Sequence, residues 1–380
     1  MKKQLAIVVV AILVLSGIPM VSANQAAAIN EQNEISKMLK IASQAEYIRS
    51  MTECDMPSSF SLIEREGVKK VDKEKIGITQ IPVQPSAQNI SFAFPAGDLN
   101  GDSADDVLLH VYKYNPATEL STCGIIALNG NNGTELWNQT FNNALAVAYP
   151  AGDLNGDGTN DIIIDVVMGI GLYPYSKIIA VDGNNGAEIW SNTEPFAVTL
   201  AFPSGDLTGD NITELMVHVY SLDMINETII TTISPVDGSN GEELGSRRFD
   251  NAIAIAYPVD DLTSDGMDDS IVGVYRIEIA EIETEEAPVP ISSEIVAIDG
   301  SDGSNLWNKT FNNSLAIAYP AGDLTGDGAI DLLIGNYIFE SENETTIISE
   351  IMAIRGYDGM VLWIRDSDGI VPCGVSKLLA

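Results

Sequence analysis

Cations are scarce in this 380-residue sequence: 19 Lys plus Arg stand against 54 Asp plus Glu, a formal net charge of -35. Such a surface repels phosphates, and nucleic acid is excluded as a partner because its binders present clustered cations. Cysteine is rare too, and Cys54, Cys123 and Cys373 are too few for a disulfide scaffold, although an oxidising compartment permits one bridge. A Cys54–Cys373 bridge would tie together the segments flanking the centre of the chain, while burial of all three as thiols accounts for them equally well. There are two histidines, His110 and His218, and no zinc spacing, Ser/His/Asp set, Cys/His pair or phosphate loop emerges. Past the N-terminus no apolar run reaches the ~18 residues that a membrane-spanning helix needs.

What is present is a chain able to fold: 45% hydrophobic and 19% charged residues mark a packed protein rather than an acidic disordered tail, and 32 glycines imply many turns. Lys2 and Lys3, the apolar run Leu5 to Leu15, and the small-residue stretch Val21-Ser22-Ala23 read as a secretory signal peptide over 1–23. The expected location is therefore secreted or cell-surface, with membrane contact only if that segment stays uncleaved. Eight glycosylation sequons, at Asn89, Asn132, Asn138, Asn211, Asn226, Asn308, Asn312 and Asn343, fit export. Residues 24–75 form an N-terminal helical and linker segment, with Ile35, Met38, Leu39, Ile41, Ala42, Ala45 and Ile48 on one face of a short amphipathic helix.

The rest, 76–380, repeats itself. FAFPAGDLNGDSADDVLLHVY at 92–112 recurs as VAYPAGDLNGDGTNDIIIDVV, LAFPSGDLTGDNITELMVHVY, IAYPVDDLTSDGMDDSIVGVY and IAYPAGDLTGDGAIDLLIGNY. The first loop aspartates, Asp98, Asp153, Asp206, Asp261 and Asp323, are spaced by 55, 53, 55 and 62 residues. The last spacing is longer because 276–294, RIEIAEIETEEAPVPISSE, is an acidic insertion read as an extended hairpin or loop. Each copy carries a second block, IIALNGNNGTELW in the first, and the four tryptophans, at 137, 190, 307 and 363, all end such a block. The third copy has Gly245 there.

One repeat thus reads as strand, acidic loop, strand, connection, strand, Asn-Gly or Asp-Gly turn, strand. Four strands in about 55 residues, repeated at 92–137, 147–190, 200–245, 255–307 and 317–363, predict an all-β fold: a β-propeller of five four-stranded blades. Radial closure also removes the long free edges that one open sheet would leave.

The acidic loops have the composition of a hard-cation site. In the second copy Asp153, Asn155, Asp157, the carbonyl of Thr159, and Asp161 fall at positions 1, 3, 5, 7 and 9, which directs alternate oxygens toward one point. Oxygen ligands without His or Cys favour Ca²⁺ over Zn²⁺, and over the reluctantly dehydrated Mg²⁺. An EF-hand is ruled out by position 12, which is apolar in all five copies: Leu109, Ile164, Val217, Val272 and Ile334.

These loops resemble the FG-GAP repeats of integrin-α-type propellers, over about 270 residues. The resemblance implies calcium ligands at Asp98, Asn100, Asp102, Ala104 and Asp106; Asp153, Asn155, Asp157, Thr159 and Asp161; Asp206, Thr208, Asp210, Ile212 and Glu214; Asp261, Thr263, Asp265, Met267 and Asp269; and Asp323, Thr325, Asp327, Ala329 and Asp331. Up to five structural Ca²⁺ ions follow. Asn211 and Glu214 in the third copy, and Asp260 and Ser264 in the fourth, depart from the pattern, so these two loops are expected to bind most weakly. The downstream block is similar to the quinoprotein-type propeller hairpin, whose Trp docks between blades; that implies packing, not a quinone.

His110 and His218 share one register, held by Asp165 in the second copy, and recurrence in register favours a structural role. The function expected is a recognition or adhesion module for an extracellular protein or carbohydrate ligand. A propeller-type polysaccharide lyase or glycoside hydrolase, using paired carboxylates, is the alternative. So is a scaffold subunit of a cell-envelope assembly.

Overall fold

Runs rich in Val, Ile and aromatic residues, each ended by Gly, Asn or Asp, build the fold from strands alone, because such residues suit a half-buried pleated surface and the others suit turns. The computed structural model describes residues 88–115, 120–168, 174–223, 228–277, 291–340 and 346–367, and it holds no helix among them. The expected signal peptide, N-terminal helix, Cys54 and Cys373 lie outside the described residues.

Twenty strands form five four-stranded antiparallel sheets, one for each sequence repeat. The first sheet contains β1 (Gln88–Gly97), β2 (Asp106–Asn115), β3 (Leu120–Leu128) and β4 (Glu135–Asn142). The second contains β5 (Ala144–Gly152), β6 (Asp161–Met168), β7 (Tyr175–Val181) and β8 (Glu188–Pro195). The third contains β9 (Ala197–Gly205), β10 (Glu214–Asp223), β11 (Thr228–Val236) and β12 (Arg247–Asp250). The fourth contains β13 (Ile253–Val259), β14 (Asp269–Ile277), β15 (Ile291–Ile298) and β16 (Asn305–Phe311). The fifth contains β17 (Ser314–Gly322), β18 (Asp331–Glu340), β19 (Thr346–Ile354) and β20 (Val361–Ser367). Every sheet is a simple meander, its strands paired in chain order. The ends of the acidic insertion continue β14 and β15, with Arg276 opposite Ser292 and Ile277 opposite Ile291.

The chain divides into two compact units, one taking in the described residues of Ile63–Ser221 and Ser234–Arg247, the other those of Leu222–Ile233 and Arg248–Ala380. Inside the first, Leu99, Leu108, Ile125, Ile162 and Ile164 close the core between the first two sheets, and Leu154, Ile163 and Leu215 that between the second and third. In the other, Leu262, Ile271, Ile295, Leu332 and Ile334 do the same for the fourth and fifth sheets.

Two recurring polar contacts link neighbouring sheets. The indole N–H of Trp137 donates to the Gly183 carbonyl, that of Trp190 to Gly238 and that of Trp307 to Gly356, each at 2.6 Å. The rings lie flat on the turn of the next repeat: a Cβ added at Gly186, Gly241 or Gly359 would sit 2.7–2.8 Å from ring atoms, so only glycine fits. The second contact comes from the third strand of a sheet. The Ser176, Thr231 and Ser293 hydroxyls donate to the carbonyls of Ala197, Ala252 and Ser314, and the Cys123 thiol occupies the same register and meets the Ala146 carbonyl at 3.2 Å. Cys123 is therefore a buried free thiol at a hydroxyl position. In the third copy, where Gly245 replaces Trp, β12 shrinks to four residues.

Replacing Trp137 by Ala removes a 6%-exposed side chain and its hydrogen bond, and the expected loss is about 3–5 kcal/mol. Trp363 is 47% exposed, and its replacement by Ala is expected to cost less than ~1 kcal/mol. Denaturant midpoints of the two variants check this, and equal losses would refute it.

Candidate metal loops and the buried acids beneath them

Each acidic loop joins the first strand of a sheet to the second, and one carboxylate organises it. Asp98 Oδ1 accepts the N–H groups of Asn100, Gly101 and Asp102 at 3.3, 2.8 and 3.2 Å, while its Oδ2 accepts that of Ser103 at 2.7 Å. Asp153, Asp206, Asp261 and Asp323 gather the corresponding amides of their own loops. The position 5 carboxylate then accepts the position 7 N–H, so Asp102, Asp157, Asp210, Asp265 and Asp327 cap Ala104, Thr159, Ile212, Met267 and Ala329.

This wrapping holds the backbone left-handed at positions 4 and 6. Gly156 and Gly158 have φ of 78° and 87°, and the conformation persists where glycine is missing: Ser103 at 66°, Asn211 at 67° and Ser264 at 64°. Such angles cost a non-glycine residue about 1–2 kcal/mol, so the hydrogen-bonded carboxylate dictates the loop shape and the side chain follows. The departures expected to spoil the third and fourth loops leave their backbone path intact.

The ninth-position acid does something the motif does not announce. Asp106, Asp161, Asp269 and Asp331 are fully buried. Asp161 Oδ2 accepts the Leu154 N–H at 2.8 Å, and its Oδ1 accepts the Gly183 N–H at 2.9 Å from the turn between β7 and β8. Asp106 joins Leu99 to Gly130, Asp269 joins Leu262 to Gly300, and Asp331 joins Leu324 to Gly356 in the same way. The acid thus bolts the loop to the downstream turn. These turn glycines were not among the expected site residues, although their fixed place in the second sequence block is visible. Burial pushes Asp161 up to about 6, against the lowering effect of the Gly183 and Leu154 N–H groups. Burial raises Asp269 likewise. The exposed acids shift the other way: the Asn129 side chain lowers Asp102, the Thr159 hydroxyl lowers Asp157, and the Gly328 N–H lowers Asp323.

The third loop differs. Glu214 is one methylene longer than aspartate, and its carboxylate accepts the Leu207 N–H at 2.5 Å and the Thr208 N–H at 3.1 Å. It also lies with Asp206 and Asp210 so that one carboxylate oxygen from each falls within 4.8 Å of the others. Among the described residues this is the one trio of metal-ligating side chains that converges so closely. Burial raises Glu214, with Asp210 and Asp206 adding repulsion. The donors available around it, carboxylates plus the Thr208 hydroxyl, are all oxygen and so fit a hard cation of the Ca²⁺ class. The loop expected to be among the weakest is the one with the most convergent carboxylates.

The histidines lie elsewhere, buried on the second strands of the first and third sheets. His110 is 1% exposed, stacks on Phe92 at 4.7 Å between ring centroids, and accepts the Ala148 N–H on Nε2 at 2.9 Å. Burial pushes it down to about 4, which suits a neutral acceptor. Asp165, in the same register, accepts the Ala201 N–H at 3.1 Å and the Tyr149 hydroxyl proton. In the fourth copy the register residue is Gly273, and the Tyr275 hydroxyl occupies the space its side chain would fill. His110 and Asp165 thus serve the contact with the next sheet, in keeping with the structural role expected for the register.

Burial pushes Asp165 up to about 7, and its Oδ1 has no hydrogen-bond partner. A carboxyl raised in the folded state binds its proton more tightly there than in the unfolded chain. Its contribution to stability is therefore greatest below about pH 4 and is lost as the pH rises toward about 7. Asp165→Asn should flatten the fall in melting temperature over that window relative to wild type, and parallel curves would refute the assignment. For the loop acid, Asp161→Ala strands the N–H groups of Leu154, Asn155 and Gly183, and a loss of at least ~2 kcal/mol is expected in urea unfolding. No protein-family model and no curated protein sequence matches this chain.

Proposed function

We propose that this is an exported β-propeller of five blades, stabilised by calcium in its acidic loops, that serves as an extracellular recognition or adhesion module for a protein or carbohydrate. The observation that carries the calcium reading is the close approach of Asp206, Asp210 and Glu214, with carboxylate oxygens within 4.8 Å of one another. Three like charges that close repel unless a cation or protons neutralise them. Their companions in every loop are also oxygen donors, and the formal net charge of -35 makes cations the favoured small ligands. Asp206, Asp210, Glu214 and Thr208 would hold the ion, which supplies charge neutralisation and cross-linking of the loop. The propeller reading draws support from the one-sheet-per-repeat arithmetic and from the Trp and hydroxyl contacts that recur from sheet to sheet within each unit.

The recognition reading follows from the kind of surface the fold offers. The position 1 and position 9 acids are engaged by amides of their own loops and turns, and His110 and Asp165 by amides of the next sheet, an arrangement that favours binding over bond-breaking as the task.

Calorimetry in chelator and in millimolar calcium tests the metal. A calcium ion at 100 times its dissociation constant stabilises by ~2.7 kcal/mol for each independent site, so melting should fall clearly in chelator. An unchanged melting temperature would sink the calcium reading. Glycan-array binding set against turnover of acidic polysaccharides tests the module: binding without product is expected, and measurable cleavage would replace recognition with catalysis.

A further inference from the structure

The chain steps from the last strand of one sheet to the first strand of the next through a residue in the left-handed region: Asn143, Phe196, Asn251 and Asn313, with φ of 53°, 61°, 51° and 51°. Asparagine tolerates that region, whereas a large aromatic residue is an outlier in it. Phe196 is also, at 62%, the most exposed of the large apolar side chains among the described residues. A bulky side chain that is both strained and turned to water adds little to the fold, and such outliers gather at functional sites.

The residues beside Phe196 have changed with it. In the first copy Asn143 Oδ1 accepts the Ser121 N–H at 3.3 Å, and Thr122 stands opposite Asn142. In the second copy Pro174 takes the place of Ser121 and has no N–H to satisfy, while Tyr175 stands opposite Pro195. A corner built from Ser-Thr and Asn-Asn has become one of Pro-Tyr and Pro-Phe. Tyr175 is 41% exposed, and Pro195 is exposed as well. Residues opposed in an antiparallel pair share a face, so Tyr175 and Pro195 lie side by side, and the next pair on that face is Lys177 with Thr193. Thr193 is exposed, and the Lys177 ammonium reaches Glu188 at 3.3 Å. Aromatic and proline surface thus adjoins a hydroxyl and an ammonium, all within one compact unit.

We propose that this corner of the second sheet is a carbohydrate-binding subsite: Tyr175, Pro195 and Phe196 pack against the C–H face of a neutral sugar ring, and the Tyr175 hydroxyl, Thr193 and Lys177 bond its hydroxyl groups. The inference rests on the recognition reading above and gives it a place and a ligand class. Size sets the kind of ligand. With Phe196 62% and Tyr175 41% exposed, and aromatic side chains presenting about 150–250 Å² each, the two rings offer on the order of 200 Å². A stable protein interface takes about 800 Å² from each partner, so the corner suits a ligand of one or two rings. Charge narrows it further, because a chain of formal net charge -35 repels acidic sugars. A sugar ring carries both an apolar face and a rim of hydroxyls, which is the pairing this corner offers. Pro174 and Pro195 fix their own φ beside the two rings, so little order has to be imposed on binding.

Isothermal titration of the mature chain with neutral cello-, manno-, xylo- and galacto-oligosaccharides, and with oligogalacturonate as the acidic comparison, tests the subsite. Wild type is expected to bind at least one neutral sugar and not the acidic one. Phe196→Asn, which restores the residue of the first, third and fourth copies, should weaken binding by at least about tenfold while the melting temperature holds or rises. Phe196→Tyr should keep the wild-type affinity, and Tyr175→Thr, the residue of the first copy, should weaken binding as Phe196→Asn does. If Phe196→Asn lowers the melting temperature, Tyr175→Thr decides: weakened binding supports the subsite and undiminished binding overturns it. Equal affinity in wild type and both variants overturns the subsite and leaves the recognition reading standing. Binding of the acidic sugar alone does the same. If wild type binds none of these sugars, the subsite falls and the carbohydrate half of the recognition reading falls with it.

Discussion

A fully buried carboxylate at the start of the second strand of a sheet is the constraint on which the repeat depends. Four of the five copies use aspartate there, and each links an amide of the acidic loop to an amide of the turn that closes the same sheet. A charge buried in this way is destabilising unless it is hydrogen-bonded, and the raised proton affinity of Asp161 and Asp269 measures how incomplete the compensation is. The gain is geometric. The loop cannot move without the turn, and the turn is where the tryptophan of the preceding repeat lands. One ionisable group therefore connects the acidic edge of a sheet to its packing against the neighbour within each unit.

Contacts between sheets show the same economy. A first strand that borders another sheet exposes N–H and C=O groups that need partners. Ser176, Thr231, Ser293 and Cys123 meet carbonyls on one register, and His110 and Asp165 meet amides on another. The chemistry varies while the hydrogen bond persists: a thiol replaces a hydroxyl, an imidazole replaces a carboxylate, and in the fourth copy a tyrosine from the same strand reaches over the glycine that replaces either. What is constant is the position that needs a partner, not the residue that fills it.

The architecture was legible because its signals are local. Strand runs bounded by glycine, the shared register of the tryptophans and the regular spacing of the loop aspartates correctly give five sheets of four strands. The acidic loop was legible only in outline. An aspartate at position 9 reads the same whether or not it also gathers amides of the loop and of the downstream turn, and only the fold brings those amides to it. Likewise Asn211 and Ser264 read as defects, since glycine is the ordinary residue at a positive φ, yet the amides gathered by Asp206 and Asp261 hold those angles regardless. The thiol of Cys123 could have been placed from sequence by aligning it with Ser176, Thr231 and Ser293, a register that the question of disulfide pairing obscured. The acceptors of the tryptophans, Gly183, Gly238 and Gly356, lie 46–49 residues downstream, beyond any local pattern.

The third and fifth copies place their charges differently from the rest. Each loop crowds several carboxylates onto a short stretch of chain, and the crowding has to be relieved by protons, a metal or a built-in cation. In the third copy the longer Glu214 side chain brings its carboxylate toward Asp206 and Asp210, which concentrates negative charge and raises the proton affinity of Glu214. In the fifth copy Arg355 stands at the head of the turn and makes a forked pair with Asp358 of the same turn. Both changes leave the backbone of the loop and turn as it is elsewhere, because the position 1 carboxylate and the turn amides set that path. A repeat whose shape is fixed by backbone hydrogen bonds is thereby free to vary where its charges sit from copy to copy, by single side chains at position 9 of the loop and position 1 of the turn.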